Sequence, residues 1–155
     1  MNRILTILTV AMLSSAVARA DNPAQASAAP SSPGIDDGQV ANLKDAKWMA
    51  PKAPEIPAGA LASLVAGDPK TGPSVAYAKF PAGYHFPSHW HSHAEYTVLL
   101  SGKAKLTVDG KSHELVPGSY LVIPAKAHHE VVCGAESECV LLTRRAGAID
   151  YHFDK

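Results

Sequence analysis

From residue 60 onward the chain is a series of short apolar or alternating segments separated by turn residues, and no stretch shows the spacing of an amphipathic helix. Segment 103–108 alternates polar and apolar residues, Asp109-Gly110 is a dipeptide typical of hairpin turns, and 111–115 returns. The pattern predicts strands over 60–66, 74–80, 95–100, 103–108, 111–115, 119–123, 130–133 and 139–144. Many short strands at regular spacing predict an all-β fold, an antiparallel β-sandwich or barrel.

Histidines are concentrated at two places in this β region. Six of the eight histidines lie at positions 85, 89, 91, 93, 128 and 129. Histidine is the commonest protein ligand for transition metals, so a metal site is the first hypothesis. The alternative is a group of histidines that line a polar pocket without a metal.

The first cluster stands in a longer frame of glycines and a glutamate. From Gly83 to Gly102 the chain reads G-x5-H-x-H-x3-E-x6-G, and a second set follows as Gly118, Pro124 and His129. This frame resembles the two motifs of the cupin superfamily over roughly residues 60–150. Two positions depart from the family pattern, Lys126 in place of glycine and Cys133 in place of asparagine.

The resemblance implies a cupin-type antiparallel β-barrel, also called a double-stranded β-helix or jelly roll. It also implies one divalent transition metal, held by His89, His91, Glu95 and His129. Three imidazoles and a carboxylate leave Fe, Mn, Ni, Cu and Zn open as its identity. A small-molecule ligand or substrate is the expected partner.

Strand geometry is consistent with that ligand set. His89 and His91 point to one side of an extended strand. A straight strand is too long for one ion to reach both His89 and Glu95, so residues 92–94 should turn and return Glu95 on the next strand. His93 and His128 are either alternative ligands, proton shuttles or exposed neighbours, and His85 is expected in a loop beside the pocket.

The N-terminal region has a different composition. Residues 1–20 combine a basic start, an apolar run and an Ala18-Arg19-Ala20 cleavage site, which predicts a secretory signal peptide. Residues 21–43 are rich in small and polar residues and are expected to form a disordered tether. The single barrel domain then covers 44–155, beginning with an extended arm that lies on the barrel.

Export and charge narrow the possible partners. Cleavage leaves twelve basic against fourteen acidic residues, a net charge of −2, so neither nucleic acid nor insertion into a membrane is expected. The protein is predicted to be periplasmic or secreted. In that compartment Cys133 and Cys139 either form a disulfide or remain buried thiols, one of them near the metal.

The strand that begins at Glu95 suggests an assembly. With Glu95, Thr97 and Leu99 inward, the outward residues 96, 98 and 100 are also apolar. Such a face must be covered by the arm or by a second subunit, and a homodimer is predicted. The resulting hypothesis is an exported metal-binding cupin, a dioxygenase-like enzyme acting on a small molecule; the alternative is a non-catalytic periplasmic protein that binds a metal or small ligand.

Overall fold

The structure, a computed structural model, describes residues 34–36 and 38–155. The predicted signal peptide and the tether as far as residue 33 lie outside the described residues. No helix in the described part of the chain is long and apolar enough to cross a membrane.

Ten strands and one short 3-10 turn make up the regular structure of the described residues. The turn is Leu43–Asp45, and the strands are β1 (Leu61–Gly67), β2 (Ser74–Phe80), β3 (His85–Trp90), β4 (Glu95–Ser101), β5 (Ala104–Val108), β6 (Lys111–Leu115), β7 (Tyr120–Ile123), β8 (His129–Cys133), β9 (Cys139–Arg145) and β10 (His152–Phe153). The all-β prediction is confirmed, and all eight predicted strands are present.

The strands form two five-stranded antiparallel sheets. The first has the order β1-β2-β9-β4-β7 and the second β10-β3-β8-β5-β6. Neighbours in each sheet are mostly far apart in sequence, as in the jelly roll that the cupin resemblance implies. Side chains from both sheets meet in one core that includes Phe80, Leu99, Leu106 and Leu141.

Strand β10 was not predicted, and β3 extends the strand expected at His89 and His91 back to His85. The expectation of a loop at His85 is wrong, because His85 begins β3 and its Nε2 lies 2.8 Å from the Glu130 carboxylate on β8. Pro87 has no N–H to donate, and the pairing of β3 with β8 shifts register between Phe86 and His89. Because a proline is unusual inside a strand, Pro87 makes the start of β3 hard to predict from the sequence.

The arm lies against β1 and β2, as predicted. Met49 forms an isolated antiparallel bridge with Ala62, and the Lys79 ammonium lies 4.4 Å from the centre of the Trp48 ring. Further along, Ile56 is buried in the core. The arm therefore protects the β1 edge of the first sheet and part of its outer face.

The inward and outward faces of β4 are assigned correctly. Glu95, Thr97 and Leu99 are buried. On the neighbouring edge strand β7, Tyr120 and Val122 remain 63% and 54% exposed on the outer face. A second copy covering this apolar half of the sheet stays a prediction, which light scattering of the purified protein would test; a monomeric mass would contradict it.

The two cysteines are joined. Cys133 ends β8, Cys139 begins β9, and the two form a disulfide with their Cα atoms 5.8 Å apart. This decides between the alternatives left open by the sequence and leaves no free thiol for a metal. The bridge closes the short loop 134–138 between strands of different sheets.

Lys126 occupies a backbone conformation that favours glycine. Its φ is +65°, and its N–H donates to the His91 carbonyl oxygen at 2.8 Å. A side chain in the left-handed region is strained, whereas glycine there costs extra entropy on folding. We expect Lys126→Gly to raise the free energy of unfolding by roughly 0.5–1 kcal/mol.

Urea denaturation would measure this change, with Lys126→Ala as the control. Alanine keeps the strain and should stay within about 0.5 kcal/mol of the parent. If glycine stabilises the protein no more than alanine does, the backbone of this turn is not strained.

Candidate metal centre

Three histidines converge between the sheets. His89 on β3 lies directly opposite His129 on β8, and His91 follows one residue after β3. One ring nitrogen from each lies within 4.8 Å of the other two. All three are buried, at 5% exposure or less. The pairing of His89 with His129, and the position of His91 two residues after His89, bring three imidazoles around one point. The sequence predicts this arrangement for the three residues.

Backbone carbonyls orient the three rings. The Nδ1 atom of His89 donates to the Pro87 oxygen at 2.7 Å, and that of His129 donates to the Ala127 oxygen at 3.0 Å. His91 Nδ1 donates to the Asp150 oxygen. A carbonyl can only accept, so each Nδ1 carries the proton and each Nε2 has a free lone pair. This is the tautomer that a metal ligand needs.

Glu95, at the start of β4, lies beside the three rings. Its Oε2 is 3.5 Å from His91 Nε2 and 3.1 Å from an Nη of Arg145, while Oε1 accepts from the Thr97 hydroxyl. Burial by itself would raise the pKa of this carboxyl, but the Arg145 charge, together with His91, His129 and the Thr97 hydrogen bond, outweighs it and the pKa is lowered. Glu95 is therefore an ionised carboxylate at the edge of the three-histidine cluster.

The donor set fits a cation. His91 Nε2 and Glu95 Oε2 are buried and make no hydrogen bond, although they point toward the same place. A buried nitrogen without a hydrogen bond is costly, and a metal ion at His91 Nε2 would satisfy it while lying beside Glu95 Oε2, which already pairs with Arg145. The three histidines can hold a metal; Glu95 lies outside the 4.8 Å group and remains the predicted fourth ligand.

His93 and His128 lie elsewhere. The predicted turn is present between β3 and β4, and it places the His93 ring against Gly147. His128 Nδ1 is 2.8 Å from a carboxylate oxygen of Asp154, and both side chains are partly exposed. Neither residue belongs to the group of three converging nitrogens. This geometry agrees with the prediction that the ligands are His89, His91, Glu95 and His129.

Sequence reasoning missed the contribution of the C-terminal segment. Besides holding His91, Asp150 accepts the Ser92 N–H at 2.9 Å, and the next residue, Tyr151, packs its ring 5.0 Å from that of His91. Strand β10 pairs with β3, and His152 stacks on Trp90 at 3.7 Å. No motif marks these residues, and an alternation of apolar residues over 149–153 is the one available signal.

A cavity of about 470 Å³ extends from the histidines across the inner face of the first sheet to the arm. Arg145 and Tyr151 line it close to the metal centre, and Ala76, Ala78 and Leu141 line it further out. Burial raises the pKa of Tyr151, which keeps its hydroxyl protonated. A cavity of this size with converging polar groups is typical of a small-molecule site.

The buried rings make the metal-free protein acid-sensitive. Burial, assisted by the nearby His129, lowers the pKa of His89 to about 3. In the unfolded chain the pKa of this histidine is near 6.5, so between pH 6.5 and 3 the unfolded state binds a proton and the folded state does not. The free energy of unfolding therefore decreases as pH falls through this range. We expect protonation of His89 in the unfolded state to lower the free energy of unfolding by about 2 kcal/mol when the pH is lowered from 7 to 5.

Urea denaturation of chelator-treated protein at the two pH values would measure this loss. His89→Gln should remove about that much of the pH dependence, whereas the exposed His113→Gln should leave it unchanged. Equal pH dependence in the parent and His89→Gln would show that His89 is not held neutral by burial.

Comparison with known proteins agrees with this architecture. Residues 76–143 match the Cupin_2 family model, described as a cupin domain. Dimethylsulfoniopropionate lyase DddW of Ruegeria pomeroyi is 37% identical over 62 residues, which are 40% of this chain and 41% of the lyase. The chain thus matches about two-fifths of the length of that relative.

Two solved structures share the fold. The polyketide cyclase RemF from Streptomyces resistomycificus superposes with a TM-score of 0.66 at 17% identity, over 77% of this chain and 87% of that one. An RmlC-like cupin from Shewanella frigidimarina gives 0.60 at 17% identity, over 74% and 95%. Residues 76–143 therefore match a cupin domain, and the two-sheet fold is shared with solved cupin structures.

Proposed function

We propose that this protein is an exported, metal-dependent enzyme that acts on a small molecule. The observation that carries the proposal is the convergence of three buried histidines at the inner end of a cavity. Each has its proton on Nδ1, which leaves Nε2 free to bind a metal. A divalent transition metal held by these residues and Glu95 would supply Lewis-acid or dioxygen chemistry at its remaining positions. The Arg145 charge favours the ionised form of Glu95.

Two reaction types follow from different observations. The sequence resemblance favours a dioxygenase-like reaction. The relatives named as a lyase and a cyclase support instead a reaction without oxygen consumption. An oxygen electrode distinguishes the two once a substrate is found.

The second candidate is a non-catalytic protein that binds a metal or small ligand. One observation favours it: the pKa of Glu95 is lowered and that of Tyr151 is raised. Neither group is therefore suited to take up and release a proton near neutral pH. Such a protein would bind its ligand in the same cavity without turnover.

The test begins with the metal content of protein purified from the compartment to which it is exported, measured by mass spectrometry of the elements. Turnover is then assayed with diketones, phenols and dimethylsulfoniopropionate, with His89→Ala as the inactive control. Turnover that His89→Ala abolishes would support the enzyme. A full metal site without turnover would support the binder, and a parent protein that binds no transition metal would refute the metal-dependent enzyme and leave only a binder of a small ligand.

Export is supported by the Cys133–Cys139 disulfide, because such bonds persist in oxidising compartments. With the predicted cleavage after Ala20, the mature chain should begin at Asp21. The intact mass of protein released from the periplasm measures this directly. A mass that still includes Met1 in that fraction would contradict the proposal.

A further inference from the structure

The cavity is chemically divided into a polar end and an apolar body. Most of the charged and titratable groups lie at the inner end, where His89, His129, Glu95 and Arg145 line it, and Lys52 of the arm lines the other end. Outside this end the wall is mostly small or aliphatic, with alanines on β1 and β2 and leucines on β7 and β9.

Alanines on β2 create the space. Ala76 pairs with Thr143 and Ala78 pairs with Leu141, so both alanines face inward from the middle of the sheet. Larger side chains at these positions would fill a core of ordinary density. The volume left between β2 and the opposite sheet is therefore bounded by hydrocarbon.

Three of the five hydroxyl groups that line the cavity, those of Thr97, Thr143 and Tyr77, are already engaged with the protein. Thr97 Oγ1 lies 2.9 Å from Thr143 Oγ1 and donates to Glu95. The hydroxyl of Tyr77 donates to the Ala41 carbonyl. The two others are Ser74, at the start of β2, and Tyr151, at the inner end, so the body of the cavity offers a sugar or another polyol few hydrogen-bonding partners.

The charges in the cavity favour an anion at the inner end. Among the described residues that line it, Glu95 is the single acid, and Arg145 lies 3.1 Å from its carboxylate. A divalent cation at the histidines would therefore make this end positive. A cationic group on a ligand would find no unpaired carboxylate in the wall, whereas an ionised oxygen would be stabilised beside the metal and Arg145.

We infer that the ligand is an aromatic or similarly compact hydrocarbon molecule carrying one ionisable oxygen group, which faces the histidines and Arg145. The inference rests on the proposed function and deepens it by naming the substrate class. It excludes small zwitterions with a cationic tail, of the kind named for the lyase relative.

The test compares three probes on the metal-loaded protein by isothermal titration calorimetry. 2-Naphthoate has the inferred chemistry, 2-naphthylmethylammonium has the same body with the opposite charge, and dimethylsulfoniopropionate is a small zwitterion. We expect 2-naphthoate to bind at least tenfold tighter than the other two. Equal or tighter binding of either competitor would overturn the inference.

Variants of the cavity wall locate the binding. Ala78→Leu, and the milder Ala76→Val if the first fails to fold, should weaken 2-naphthoate at least tenfold while the metal content stays full. Ala135→Leu, on an exposed loop away from the cavity, should leave the affinity unchanged. Undiminished binding by both cavity variants would overturn the inference.

Metal content is measured on the same samples, which separates the two proposals. A parent protein that binds no metal but still prefers 2-naphthoate, with the same sensitivity to Ala78→Leu, would support the ligand class and refute metal-dependent function. A full metal site without preference for 2-naphthoate would overturn the ligand class alone.

Discussion

Alanine in place of His89, His91 or His129 should each lower metal affinity by about 100-fold or more. Loss of residues that merely orient a ligand costs 10- to 100-fold, so loss of a ligand should cost at least as much. Each ring has its Nδ1 bound to a backbone carbonyl, which fixes the direction of its Nε2. Glu95→Ala should act in the same direction, since its Oε2 is the nearest oxygen to His91 Nε2.

Matched controls come from the neighbouring histidines. His93 lies against Gly147 and His128 pairs with Asp154, so His93→Ala and His128→Ala should keep most of the metal. Metal titration and melting temperature, measured for all six variants, test the assignment. Because the metal binds only the folded state, variants that keep it should gain about 2.7 kcal/mol at a hundredfold excess over Kd. If His93→Ala empties the site while His89→Ala keeps it full, the ligand set is His91, His93, Glu95 and His129.

Removal of the Arg145 guanidinium should destabilise the metal-free protein by about 3–5 kcal/mol, because it leaves the Glu95 carboxylate buried without a counter-charge. Arg145 is largely buried and lies 3.1 Å from Glu95, and the Arg145 charge keeps the pKa of Glu95 low. In Arg145→Met the carboxyl must either protonate or bear the cost of burial. Added metal should restore part of the stability, since a cation at the histidines lies beside the same carboxylate.

The adjacent arginine provides the control. Arg144 points to the outer face, where its guanidinium lies 5.8 Å from the Tyr96 ring. Arg144→Met should therefore cost less than about 1 kcal/mol. The double variant Arg145→Met/Glu95→Gln should recover much of the loss, because it removes the unpaired charge. Urea denaturation after chelation measures all three; equal destabilisation by Arg144→Met and Arg145→Met would refute the proposed pairing.

The sequence predicted those parts of the molecule that local patterns encode. Alternation along the strand from Glu95 correctly placed Thr97 and Leu99 inside the barrel. The spacing of His89 and His91, with a turn before Glu95, correctly placed two histidines and a carboxylate beside each other. These features depend on the period of a strand and the reach of a short turn, which a few neighbouring residues determine.

Tertiary structure decided what depends on long-range pairing. Arg145 meets Glu95 because β9 lies between β2 and β4, although fifty residues separate the two in sequence. Asp150 orients His91, and Tyr151 closes one side of the site, only because β10 joins the edge of the second sheet. The disulfide also required β8 and β9 to end near one another. The spacing of the histidines therefore predicted which side chains come together, whereas the counter-charge, the ring orientation and the cavity wall depend on strand pairings that no local pattern reveals.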